Sequence, residues 1–595
     1  MPGRGDGERR QRGAVRRALS GAWAGALVLV CSAAPGFAAD PAAAPVVAQA
    51  SPLPARHAGP EQPLPRVAPA APSHSAVAAP PPPGPAARLS QAPRFRLRNI
   101  AVDGDTVLGS AAIEKVIAPY RGKLVSIADL DEIRRRLTLL YIKAGYINSG
   151  VTIPDQNVTG GLVKMHVVEG RVTQVEITGT KQFRPEYFRS RLAAGLHDPF
   201  NIRDAEVAQQ LLLQEPLVKR LNIDLLPGLA PGQARMRADV TEASPYSLSA
   251  QIADDQSPTV GEVRGQLAGS VANLWGTGDV LSAGYGRSQG LNDGSVSYSI
   301  PLAPDDTILN LRYDRNGTLV VAPALAPLHV SSDYSSVSLG LTRPFYRTPE
   351  QNLTLGVQLD WRRAQSFLLG TPFPFVAGAD VNGRTNVTAL RVTQSWLDRD
   401  ADHALGLRST FSFGLNILDA TVLPPQPGGR VASGEFFAWL GQAQYVHRLW
   451  HNSEVVLRSD VQLANGPLFP IEQFALGGID TVRGYREYLT VTDDAAFASG
   501  ELRIPVGKVR LPVLARGDDA GTVQLVPFYD YGRGWNVGRP TPAPADISSV
   551  GLGLRWLVGS GITAELYYGK ALRHVPVGTS LQDRGIHFRI TAAFF

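Results

Sequence analysis

A single cysteine, Cys31, in 595 residues leaves no partner for an intramolecular disulfide and no thiolate set for a multi-cysteine metal site. Beyond the first 38 residues no run of 18 apolar residues occurs, so a membrane-spanning helix is not expected. Charge is scarce at 18%, with 58 basic against 52 acidic side chains. The chain lacks GxxxxGK[ST] and HExxH, and no Ser–His–Asp set can be argued from residue order. His447 and His451 are four apart, but at a strand end that spacing gives no shared helix face, so interfacial histidines are expected rather than a metal site. Neither an enzyme, a cofactor nor a metal is expected.

Glycine (60) and proline (46) are abundant, and they are unevenly placed. Residues 1–38 read as a secretory signal: six arginines from Arg4 to Arg17, an apolar stretch from about Ala22 to Ala34, and Gly36-Phe37-Ala38 for cleavage. Cys31 follows Val28-Leu29-Val30, which lacks the small residue of a lipoprotein box. Those 38 residues hold six Arg against two acids, so their removal lowers the formal charge from +6 to +2. The basic balance then belongs to targeting, and nucleic acid is not an expected partner. Residues 39–93 carry 15 prolines and much alanine, too little bulky apolar surface to pack, and read as an extended linker.

From Phe95 the pattern changes. Phe95–Val102 alternates like a half-buried strand, 109–118 and 126–144 show helical spacing, and Gly150–Pro154 and Leu162–Val168 read as strands. Ser126 with Asp129 predicts a capping box at the second helix. The same β-α-α-β-β order returns with a strand at Val172–Thr178, helices at 184–194 and 203–214, and strands at Leu221–Leu226 and Ala234–Val240. The predicted domains are therefore 94–170 and 171–243, each with an edge strand open to an extended peptide.

After about residue 244 a period of two takes over, as in Leu353/Leu355/Val357/Leu359/Trp361 against Thr354/Gly356/Gln358/Asp360/Arg362. Ile586/Phe588/Ile590 against His587/Arg589/Thr591 repeats it. Sixteen such segments, with starts near 246, 262, 279, 294, 307, 333, 352, 385, 403, 435, 453, 496, 522, 548, 562 and 585, predict a mainly β chain. The expected fold is a 16-stranded antiparallel transmembrane β-barrel over 244–595, apolar outside and wet inside. Its turns at 276–278 and 559–561 fall on the inner side of the membrane. The long segments 366–384, 417–434 and 464–495 fall on the outer side.

The last of these contains Gly477-Gly478 and Val482-Arg483-Gly484-Tyr485. Phe528-Tyr529-Asp530-Tyr531-Gly532 lies on the thirteenth segment, where Phe528, Asp530 and Gly532 share the lumen face and the tyrosines face lipid. A guanidinium in a narrow lumen needs a partner, and a carboxylate can accept it bidentately.

With Asn273-Leu274-Trp275-Gly276-Thr277-Gly278-Asp279 and Pro154-Asp155-Gln156…Gly161-Leu162…Val168-Glu169-Gly170, these motifs resemble the two-partner secretion transporters. That is the family of the haemolysin and filamentous-haemagglutinin exporters of Gram-negative bacteria, within the barrels that carry polypeptide-transport-associated (POTRA) domains. The resemblance spans about 95–595. It implies that 464–495 folds into the lumen as a gate, with Arg483 paired to Asp530. It further implies that the two POTRA modules lie in the periplasm and take up an unfolded secreted exoprotein in extended form. The barrel in outer-membrane lipid then exports the cargo, the barrel-assembly machinery inserts the transporter, and folding of the cargo outside supplies the drive. A barrel-assembly insertase of the same superfamily is the alternative. The sequence departs from the family where an N-terminal helical plug would stand, since 39–93 has no apolar stripe, and at Phe595, because parity makes Phe594 the outward terminal aromatic.

Overall fold

A computed structural model describes residues 94–595 except 159, 423–429, 510–520, 560, 577 and 595. The predicted signal, the linker with its plug question, and Phe595 lie outside the described residues.

The first module runs β1 (Phe95–Arg96), β2 (Asn99–Asp103), α1 (Ser110–Ile117), β3 (Leu124–Val125), α2 (Ile127–Lys143), β4 (Gly150–Thr152) and β5 (Leu162–Val168). The single strand predicted from Phe95 is broken into β1 and β2, because β1 pairs with β3 while β2 runs parallel to β5. α2 starts where predicted: the Ser126 side chain accepts from Asp129 N–H and the Asp129 carboxylate accepts from Ser126 N–H. Leu130, Ile133, Leu137 and Tyr141 of α2 pack on Val163, Met165 and Val167 of β5 in one core.

The second module repeats the order as β6 (Arg171–Thr178), α3 (Pro185–Gly195), α4 (Ile202–Leu213), β7 (Val218–Pro227) and β8 (Gln233–Glu242), with sheet order β6-β8-β7. Phe188, Leu192, Phe200 and Leu212 fill its core against Met236 and Ala238. The modules are joined by backbone: Phe200 N–H donates to Gly170 O at 2.7 Å and Ile202 N–H to Gly145 O at 2.9 Å.

The rest is a closed barrel. Its strands are β9 (Tyr246–Ala253), β10 (Arg264–Ala272), β11 (Val280–Arg287), β12 (Leu291–Pro301), β13 (Ile308–Leu319), β14 (Ser331–Arg347) and β15 (Gln351–Leu368). After the two-residue β16 (Thr371–Pro372) follow β17 (Arg384–Arg399), β18 (His403–Leu415), β19 (Phe437–Arg448) and β20 (Glu454–Ala464). Two short strands, β21 (Phe474–Leu476) and β22 (Thr490–Thr492), belong to the long loop. β23 (Asp494–Val509), β24 (Gly521–Trp535), β25 (Asp546–Val558), β26 (Ile562–Ala571) and β27 (Ile586–Ala593) complete the ring, and β27 pairs with β9. Without β16, β21 and β22 these are the sixteen predicted strands, each starting within three residues of its expected place.

Strand parity puts Leu311, Tyr313, Val357, Leu457, Leu552 and Ile590 outside, where they are exposed. Arg391, Asp530 and His587 point inward and are buried. Closure through β27 and β9 leaves no barrel strand as a free edge among the described residues, as a bilayer without water requires.

Candidate functional site: the lumen loop

Between β20 and β23 the chain turns down into the barrel. β21 and β22 pair as a small hairpin inside the lumen, and residues 477–489 form its tip. Two adjacent glycines at positive φ, Gly477 (104°) and Gly478 (103°), start the turn. The Glu487 carboxylate accepts from Ile479 N–H at 2.7 Å and ties the two limbs of the tip together.

Arg483 is 1% exposed, and the structure brings it onto Asp530, which is 0% exposed. Its Nε and Nη2 donate to the two carboxylate oxygens, both at 2.8 Å, and its backbone N–H adds a third bond at 3.1 Å. Nη1 donates to Glu501 at 2.9 Å and Nη2 also to Ser499 at 3.1 Å. Ser499 is the ladder partner of Asp530 and donates to it at 2.6 Å. The guanidinium carbon stands 3.7 Å from the centroid of the Phe528 ring and 4.9 Å from that of Tyr567. A desolvated charge held on both carboxylate oxygens and an aromatic face is fixed in position as well as in charge.

The neighbouring site residues are placed by shape. Gly532 has no side chain to occupy the space filled by Val482 and Leu476. Val482 is fully buried with Tyr485, Leu440, Phe497 and Ile547. The Tyr485 hydroxyl lies 2.9 Å from Ser548 O and 3.1 Å from Arg573 O. Gly484, at φ 91°, crosses Gly569 backbone to backbone, and a Cβ on Gly484 would stand 2.7 Å from Gly569 O. Its N–H donates to His587 Nε2 at 3.0 Å. Phe528 lies over Gly551, its ladder partner, where any side chain would collide with the ring.

Residues 232–556 match the family described as haemolysin secretion/activation protein ShlB/FhaC/HecB, and 95–170 match the POTRA domain, ShlB-type. The chain belongs to the ShlB/FhaC/HecB family. It is 24% identical over 478 residues to "Outer membrane transporter CdiB" of Dickeya dadantii, covering 78% of this chain and 82% of the relative. It is 21% identical to "Heme/hemopexin transporter protein HuxB" of Haemophilus influenzae, covering 75% and 77%. The solved structure "CdiB from Escherichia coli" shares the fold with TM-score 0.64 at 19% identity, over 87% of this chain and 94% of that one.

This ShlB-type chain is thus an outer-membrane transporter of the two-partner secretion family, with its POTRA region in the periplasm. The rim touched by the second module is then the periplasmic one. Asn273–Asp279 forms the β10–β11 turn there, organised by the buried Asp279, which accepts from Trp275 N–H at 3.1 Å and from the Tyr298 hydroxyl at 3.0 Å. The turn presents Gly276 O to Arg184 N–H at 3.0 Å. The 154–170 motif is structural too: Gln156 exchanges two 2.7 Å bonds with the backbone of Lys164, and Gly170 N–H donates to Ser149 at 2.8 Å.

Ser499, Glu501, Tyr567, Gly569 and His587 escaped the sequence reading as site residues. Parity carried a signal for Ser499 and Glu501, which share the inward face of β23, and His587 stands on the polar side of β27. Gly286-Arg287-Ser288-Gln289-Gly290 has GxSxG spacing, but it lies on the β11–β12 hairpin rather than a strand-to-helix elbow. There the Ser288 hydroxyl donates to Val260 O at 2.7 Å.

Proposed function

We propose that the two modules take up an unfolded secreted exoprotein in extended form and pass it through the lumen, with 464–495 as the gating loop. Module 1 offers β2 and β4 as sheet edges and module 2 offers β6 and β7, any of which can accept an extended strand by backbone pairing. An extended chain fits an aqueous lumen of sixteen strands, whereas a folded domain does not. The supporting observation is the buried Arg483–Asp530 pair, which holds the loop where cargo would pass. Val482, Gly484 and Tyr485 shape the loop tip, and Phe528 and Gly532 shape the wall that receives it.

The test is export by cells carrying Arg483→Ala. Export should be lost or sharply reduced while the barrel still inserts, because the tip no longer takes a fixed position. Undiminished export overturns the gating role.

A further inference from the structure

The loop is pinned at two places: at its tip, where Asp480 pairs with Arg589 and Arg486 with Asp583 beside the Arg483 group, and again upstream. Eleven residues before Arg483, Glu472 is also 1% exposed. Its carboxylate accepts from Arg391 Nη2 at 2.9 and 3.0 Å and from Arg362 Nη1 at 3.1 Å. Asp360 accepts from both arginines as well, and Arg391 Nη1 donates to Ser412 at 2.6 Å. Leu468, Phe469 and Ile471 are buried beside this group with Ala364, Val387, Ala389 and Ala438. Gln462 Nε2 donates to Glu472 O at 3.1 Å.

The two seats lie on different walls. Asp360 and Arg362 stand on β15 and Arg391 on β17, the seventh and eighth barrel strands. Ser499 and Glu501 stand on β23 and Asp530 on β24, the twelfth and thirteenth. Five strand positions in a ring of sixteen separate them.

The walls also differ in sign. Without Glu472, the group of Arg362, Arg391 and Asp360 holds two cations and one anion. The groups that bond the Arg483 side chain charge to charge, Asp530 and Glu501, are both anions, with Arg503 donating to Glu501 and Arg458 near it. The loop brings an acid to two arginines on one wall and a base to two carboxylates on the other. The opposite orientation would set like charges together in a site shielded from water.

We propose that Glu472 is a second positioning residue, which makes the loop a polarised bar held at both ends across the lumen. Freeing Arg483 alone leaves the bar seated at Glu472, and the barrel opens further when both seats let go than when either does, the tip pairs Asp480–Arg589 and Arg486–Asp583 being common to every variant. This rests on the reading of 464–495 as the element that cargo must displace.

The test is conductance of the purified full-length protein in planar bilayers without cargo, for wild type, Arg483→Ala, Glu472→Gln and the double variant. Each single variant should stay close to the low conductance of wild type, and the double variant should show a several-fold rise in open time. A double variant no more open than Arg483→Ala, or an Arg483→Ala barrel already fully open, overturns the proposal. Heat-modifiable mobility on a gel reports that each barrel is folded. Should Glu472→Gln fail that check, Ser412→Ala replaces it, since it removes only the bond that aims Arg391 and weakens the same seat from the wall side. Because no cargo is present, these traces report on the seats even if Arg483→Ala leaves export intact and the gating role falls.

Discussion

Arg483 shows why a buried ion pair can hold a position without adding much to stability. Desolvating a guanidinium and a carboxylate costs about what their attraction returns, but removing one partner strands the other at about 3–5 kcal/mol. Asp530→Asn is the sharper probe, because it keeps size and part of the hydrogen bonding while leaving the buried Arg483 with Glu501 as its bonded anionic partner among the described residues. We expect the Arg483 seat to loosen, read as faster trypsin cleavage within 477–489 of the folded protein. A second residue-scale prediction concerns Gly484. Gly484→Ala places a methyl group 2.7 Å from Gly569 O and fixes an unfavourable positive φ, so the tip must lift by tenths of an ångström or more. The expected outcome is loss of export comparable to Arg483→Ala with normal insertion; wild-type export would show that the tip need not lie on β26. The Arg483–Asp530 pairing was legible because inward parity and a charge requirement met in a known motif. Ser499, Glu501 and His587 were not, since alternation tells which face a side chain occupies and not which loop reaches it.

At the scale of elements, what could be read followed the length of the pattern. The sixteen barrel strands stood out because each repeats its alternation over many residues and closure demands an even, complete set. β1, β3, β21 and β22 are two or three residues long, too short for any period, and they exist because a neighbouring segment offers a ladder. The helices lie between these cases, and α2 was marked by its start signal as much as by its apolar stripe. That signal can be measured. Ser126→Ala removes the acceptor for Asp129 N–H and undoes half of the capping box, a loss of about 1 kcal/mol. Amide hydrogen exchange on the detergent-solubilised protein should then show a several-fold loss of protection in the first turn of α2, with β5 unchanged. Equal protection in variant and wild type would mean that packing alone holds that end of the helix.

Across the whole molecule the question is how motion could pass between the modules and the lumen. Nothing in the sequence pattern showed that the second module is clamped to the barrel, because the clamp joins residues some ninety or more positions apart. Asp306, in the β12–β13 turn, accepts from Arg191 Nη2 at 2.7 Å and is also paired with Arg347, which donates to Glu215 at 2.9 Å. The Arg191 guanidinium lies 3.7 Å from the centroid of the Tyr187 ring, and burial first, then the Glu215 charge, pushes the Tyr187 hydroxyl up to about 12. Two arginines from opposite sides of the contact thus share one carboxylate, and a water-poor setting strengthens both bonds. Asp306→Asn keeps the shape and the positive φ that Asp and Asn tolerate, but it removes the charge and leaves the two cations facing each other across a neutral amide. We expect the contact to weaken by about 1.5–3 kcal/mol, the range for hydrogen bonds to charged groups. The readout is protease cleavage at 243–245, between the second module and β9, which should accelerate while the barrel keeps its folded mobility. An unchanged cleavage rate would assign the clamp to the Gly276–Arg184 backbone bond and its turn instead. On the proposed uptake of cargo at its edge strands, a module joined to the barrel in this way would pass the load on through the β10–β11 and β12–β13 turns.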